Sequence, residues 1–151
     1  MNTAFLGILL DPIFIALLVW CAYIDWKTRT VSNLPIVLLL CVGLMHMALV
    51  LLTSNAWWLY PAGALLSAPF LFAWVKNSMG AADVKLIIAI GLYLGLVNTL
   101  LSFILMVPIL AVLMVYSWIK HKTLKCRIPL APVLAIGAVA AVAFGYLSLT
   151  I

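Results

Sequence analysis

Residues 84–119 read VKLIIAIGLYLGLVNTLLSFILMVPILAVLMVYSWI. Apart from Lys85 the stretch is free of charge, and it is nearly twice as long as the about 20 apolar residues that one membrane-crossing helix uses. It therefore predicts two spans joined by a tight reversal. The Gly95-Leu96-Val97-Asn98 segment is the expected turn, which leaves the first of the two helices short. The rest of the chain has the same character: 69% of residues are hydrophobic and 7% charged, where a soluble domain carries about 25% charged residues. A soluble domain is excluded. With 151 residues, the chain has room for about six spanning helices and little else. The predicted architecture is an all-α polytopic membrane helix bundle forming one integral-membrane domain over residues 1–151.

Working outward, four further apolar runs cover residues 4–24, 34–53, 56–75 and 129–150. The first contains Asp11-Pro12, read as a helix cap followed by a first helical residue, so regular helix is expected from Pro12. No Lys or Arg precedes this run, and a cleaved secretory signal is not expected. His46 lies inside the second run and reads as a hydrogen-bonding partner for a neighbouring helix. The third run opens on the interfacial aromatics Trp57, Trp58 and Tyr60 and holds Pro61 and Pro69, where kinks are expected. In the last run Gly137, Ala141 and Gly145 recur every four residues as a small-residue packing seam.

All eight basic residues fall in three connectors: Lys27 and Arg29, then Lys76 and Lys85, then Lys120, Lys122, Lys125 and Arg127. Short loops rich in Lys and Arg stay cytoplasmic. Six helices with these connectors inside leave both termini extracytoplasmic. Trp20, Tyr23, Trp26, Trp74, Tyr116 and Trp118 then form an aromatic belt near the inner interface. The net charge of +5 is thereby a topology signal whose natural neighbours are anionic lipid head groups, with no need for nucleic acid.

Only three acidic residues occur, all aspartates. By this topology Asp25, ending the first helix, and Asp83, opening the fourth, share the cytoplasmic level. Each alone has a structural reading: Asp83 as a helix cap, Asp25 as an interfacial partner of Arg29. Together they meet the requirement of general acid–base hydrolysis, in which one carboxylate activates water while its protonated neighbour polarises a carbonyl and serves the leaving group. The helix dipoles favour protonated Asp25 as the acid and ionised Asp83 as the base. Around them, Lys85 is placed to steady the Asp83 charge or contact substrate, Asn33 to position substrate or cap the second helix, and Gly80 to shape the backbone before Asp83. Cys21, Cys41 and Cys126 form no CxxC pair, so free reduced thiols are expected, with no metal and no cofactor.

The contexts of the two aspartates carry a resemblance. Asp25, followed by Val31-Ser32-Asn33, resembles the Asp-x5-Ile-Pro-Asn pattern of type IV prepilin peptidases. Gly80-Ala81-Ala82-Asp83-Val84-Lys85-Leu86, with Gly91 and Leu94-Gly95 beyond, resembles that family's Gly-x-Gly-Asp-x-Lys-Leu block, and residues 128–137 are similar to its Pro-Phe-Gly-Pro-Phe-Leu-Ala-x-Gly segment. The resemblance implies a membrane aspartic endopeptidase of the bacterial inner membrane. Asp25 and Asp83 are then its catalytic pair, Gly80, Lys85, Asn33 and Arg29 supporting or substrate-positioning residues, and prepilin-like proteins its substrates, cut at the cytoplasmic face. The cytosolic insertion with paired CxxC motifs found in larger members is absent, which points to the small tight-adherence-pilus type and gives no ground to predict N-methylation. Ala82 stands where the family has its second glycine, and Ser32 where it has proline. A positive φ before Asp83 would be harder for Ala than for Gly. The alternative class is a non-catalytic membrane protein, either a degenerate homologue serving pilus or secretion assembly or a small carrier.

Overall fold

A computed structural model describes residues 3–28, 33–53, 56–76, 79–121 and 130–149. The chain is an all-α bundle: α1 (Thr3–Thr28), α2 (Asn33–Thr53), α3 (Leu59–Leu65), α4 (Ala68–Val75), α5 (Ala81–His121) and α6 (Leu130–Leu149). Among the described residues three helical stretches, Leu9–Thr28, Asn33–Leu52 and Ala81–Tyr116, are long and apolar enough to cross a membrane, and Leu59–Val75 and Leu130–Tyr146 are shorter apolar helices. Many large apolar side chains face outward, among them Leu52, Leu65, Phe72, Ile104 and Val112. On a water-soluble protein such a surface would drive aggregation; facing acyl chains, it is the expected exterior.

At about 1.5 Å per residue, a straight α5 would run to about 60 Å, twice the about 30 Å hydrocarbon core of a bilayer. It is not straight. Gly95 has φ 72° and ψ 178°, a region open essentially to glycine alone. The contacts on either side show that the chain doubles back there. Before Gly95, Lys85 meets Asn33 at the start of α2, while Tyr93 reaches Asp11 near the start of α1. After Gly95, Asn98 lines a cavity with Tyr146 near the end of α6, while Ser102 and Met106 lie against Gly137 in its first half. The predicted reversal is thus present, narrowed to one residue, since 96–98 are already helical.

The first half of α5, residues 84–94, is the central post. Val84, Leu86, Ile87, Ala89, Ile90, Tyr93 and Leu94 are all buried, so this segment is apolar and covered nearly all round. The helices α2, α3 and α6 pack against α5, and α1 packs against α2 and α6. The tightest crossing pairs Gly63 of α3 with Gly91 of α5: a methyl group added to either would lie 2.5 Å from the other's carbonyl oxygen. Backbone-to-backbone approach of this kind is how membrane helices gain packing where no hydrophobic force separates protein from lipid.

Three local expectations need correction. Helix α1 begins at Thr3 and runs through Pro12, so Asp11 is not a cap; proline deletes one backbone donor, which a membrane helix tolerates. Pro61 sits inside α3 without interrupting it, whereas the chain breaks at Leu66–Ser67, just before Pro69 in the first turn of α4, because proline lacks the N–H that would continue the ladder. His46 meets the neighbouring α5 as expected, with the Tyr93 backbone within hydrogen-bonding reach of its ring and ring contacts to Tyr93 and Tyr60, while its Nδ1 is buried with no hydrogen-bond partner among the described residues. The α6 seam is close-packed at Gly137, where an added methyl would meet the Ser102 carbonyl at 2.8 Å, but a methyl added at Gly145 would meet no atom of a neighbouring helix within 4 Å.

Candidate active site

Along α1 the buried positions are Leu10, Phe14, Leu18, Cys21 and Asp25, steps of three and four residues that trace one face of a helix. Asp25 continues that stripe, so its carboxylate points into the bundle and is only 6% exposed. There its Oδ2 accepts a hydrogen bond from the backbone N–H of Ala131, 3.1 Å away. Ala131 is in the first turn of α6, where backbone donors have no intrahelical acceptor. Asp25 thus stands between two helix ends: the C-terminus of α1, whose dipole disfavours negative charge, and the N-terminus of α6, whose dipole favours it. Reading the acid and base roles from α1 alone omits the second of these.

Asp83 lies in the first turn of α5. The carbonyl of Gly80 accepts the N–H of Val84 at 3.4 Å, making Gly80 the residue from which the helix starts and Asp83 its third helical position, where a carboxylate is favoured by the dipole. The carboxylate folds back over Gly80, so that a methyl group there would lie 3.1 Å from Asp83 Oδ2. This gives Gly80 a definite reason to be glycine. Ala82, in contrast, has helical backbone angles, Gly95 being the one non-helical residue inside α5. Its methyl packs against the core. The departure from the motif at Ala82 therefore carries no backbone strain.

Lys85 is exposed and donates to Asn33 Oδ1 at 3.4 Å, linking the first turns of α5 and α2. Asp25, Asn33, Gly80, Asp83 and Lys85 all stand at one end of the bundle, the end where α1 finishes and α2, α5 and α6 begin. Arg29 lies outside the described residues. Of the six aromatics expected at the inner interface, Trp20, Tyr23, Trp26, Trp74 and Tyr116 are exposed, and the Trp118 side chain lies outside those described. Among the described residues no group of three His, Cys, Asp or Glu side chains could hold a metal ion. The sequence reading missed Ala131 as the donor to Asp25; nothing in the local pattern could have found a backbone donor 106 positions away.

A family model described as the type IV leader peptidase family matches residues 12–116, which include both aspartates. No curated protein and no solved structure matches the chain.

Proposed function

Because the chain belongs to the type IV leader peptidase family, we propose that it is a membrane aspartic endopeptidase that removes the leader from prepilin-like proteins with Asp25 and Asp83 as its catalytic pair. The observation that carries this reading is the position of two aspartates at one end of the bundle, one buried on the core stripe of α1 and the other in the first turn of the central helix. Two carboxylates sharing a site do not both ionise readily and titrate as a unit. The ionised member takes a proton from water as that water attacks the scissile carbonyl; the protonated member polarises the carbonyl oxygen and then delivers its proton to the departing amine. Lys85 and Asn33, joined across α5 and α2, form a polar edge beside the pair on which the substrate backbone is positioned, and Arg29 belongs to the same connector.

The basic connectors support a cytoplasmic location for this end in a bacterial inner membrane, next to anionic head groups. The substrate's basic leader meets the site there, and cleavage falls after a glycine just ahead of the substrate's apolar helix. Co-expression with a prepilin bearing a Gly-ended basic leader tests the assignment. Asp25→Asn and Asp83→Asn are each expected to leave the prepilin uncut while the variant protein accumulates in the membrane at the wild-type level. Normal processing by either variant would overturn the two-carboxylate mechanism.

A further inference from the structure

The end of the bundle away from Asp25 holds a second polar cluster that the leader peptidase reading does not use. Its centre is Asp11 of α1, whose two carboxylate oxygens accept one phenolic hydrogen bond each, from Tyr93 of α5 and from Tyr146 of α6. Beside them His46 of α2 stacks on Tyr93 with ring centroids 4.6 Å apart, and meets Tyr60 of α3 edge-on at 5.4 Å. These five residues and Asn98 line a cavity of about 360 Å³, within the range of about 300–1,000 Å³ typical of small-ligand sites.

The charge balance at this end is one-sided. Among the described basic residues, Lys27 is in the last turn of α1, Lys76 follows α4, Lys85 opens α5 and Lys120 closes it, so all stand at the opposite end from Asp11. A carboxylate in an apolar bundle is costly without a compensating cation or hydrogen bonds, and here, among the described residues, two phenols donate to it and the His46 imidazole lies near it. The walls are suited to an organic cation. Tyr93 is itself stacked between Phe14 and His46, but Tyr60 and Tyr146 line the cavity with aromatic surface of the kind that surrounds ammonium groups, whereas a hard metal ion would want six or more oxygen ligands. His46 Nδ1, buried and without a hydrogen-bond partner among the described residues, offers an acceptor in its neutral tautomer for an N–H that a quaternary ammonium lacks.

We propose that this cavity binds a primary ammonium group, with Asp11 as its counter-charge and His46 as a second acceptor. The group comes either from the head group of an aminophospholipid or from a free alkylamine. The test uses the full-length protein in detergent, with retention of added lipid read by native mass spectrometry and by the shift in thermal unfolding. Phosphatidylethanolamine is expected to be retained and to stabilise the wild type, phosphatidylcholine and phosphatidylglycerol much less. Asp11→Asn is expected to weaken retention by about tenfold or more, as loss of a charged hydrogen-bonding partner does. Should that variant fail to fold because the tyrosines lose their acceptor, His46→Phe keeps the ring stack while removing Nδ1, and should still lose the preference for the ethanolamine over the choline head group. Competition by free ethanolamine would identify the amine alone as sufficient; phosphatidylethanolamine retained without such competition would identify the lipid as the source. Equal retention of all three lipids by the wild type, or an unchanged preference in His46→Phe together with either unchanged retention or misfolding in Asp11→Asn, would overturn the proposal.

Discussion

At the scale of the residue, the proposed site would depend on small spaces around its two carboxylates. Gly80 lies under Asp83 Oδ2, with room for a methyl group only at 3.1 Å. Because the obstructing atom is the end of a rotatable side chain, Gly80→Ala is expected to shift the carboxylate at little cost to stability. The predicted outcome is a fall in processing rate of about tenfold, since misplacing a reacting group by a fraction of an ångström is enough for such losses. Thermal unfolding in detergent should remain near that of the wild type; a variant that cleaves at the wild-type rate would show that Asp83 does not need its observed position. Asp25 and Asp83 could be picked out from the sequence because charge is so scarce in this chain that each aspartate demands a reason. Asp11 was misread for the opposite cause: Asp-Pro has a strong local meaning as a cap, and the tyrosines that bind it are 82 and 135 positions away. Local propensity offers no view of partners at that distance.

At the scale of the element, the decisive piece is the reversal within α5. Its existence followed from length alone, because no single helix of that extent fits one crossing of a bilayer. Its location at Gly95 was bracketed by the Gly95-Leu96-Val97-Asn98 turn composition, and the structure narrows it to the residue with φ 72°. Gly95→Ala places a Cβ where L-residues are strongly disfavoured, and is expected to lower stability by about 1–3 kcal/mol. Unfolding in a fixed detergent, monitored by helical circular dichroism, measures it; an unchanged midpoint would mean that the reversal does not depend on this backbone state. The Gly63–Gly91 crossing was not legible beforehand, although both glycines were in plain view. A glycine in an apolar helix signals close approach but not to what, and the pairing exists only once α3 and α5 are side by side.

At the scale of the whole molecule, the distribution of charge and the order of the helices agree. The ends of α1, α4 and α5 and the beginnings of α2, α5 and α6 lie together, so among the described residues Lys27, Lys76, Lys85 and Lys120 gather at one end of the bundle, and the start of α1 and the end of α6 lie at the other. Placing the basic side in the cytoplasm predicts that a phosphatase that is active only outside the cytoplasm will be active when fused to the C-terminus, and inactive when fused after residue 121. The reverse pattern would put the aspartates on the wrong side for a leader that has not yet crossed the membrane.

The enclosure of residues 84–94 by the surrounding helices has a consequence for how the molecule breathes. A segment with so little of its surface in contact with lipid or water cannot release its amide protons by local fraying, and so must wait for the bundle to open as a unit. In deuterated buffer the amides of 86–94 are therefore expected to be the last to exchange, well behind those of 96–116 in the same helix. Asp83 stands at the root of that enclosed segment, so under the proposed function the substrate is the partner that has to move.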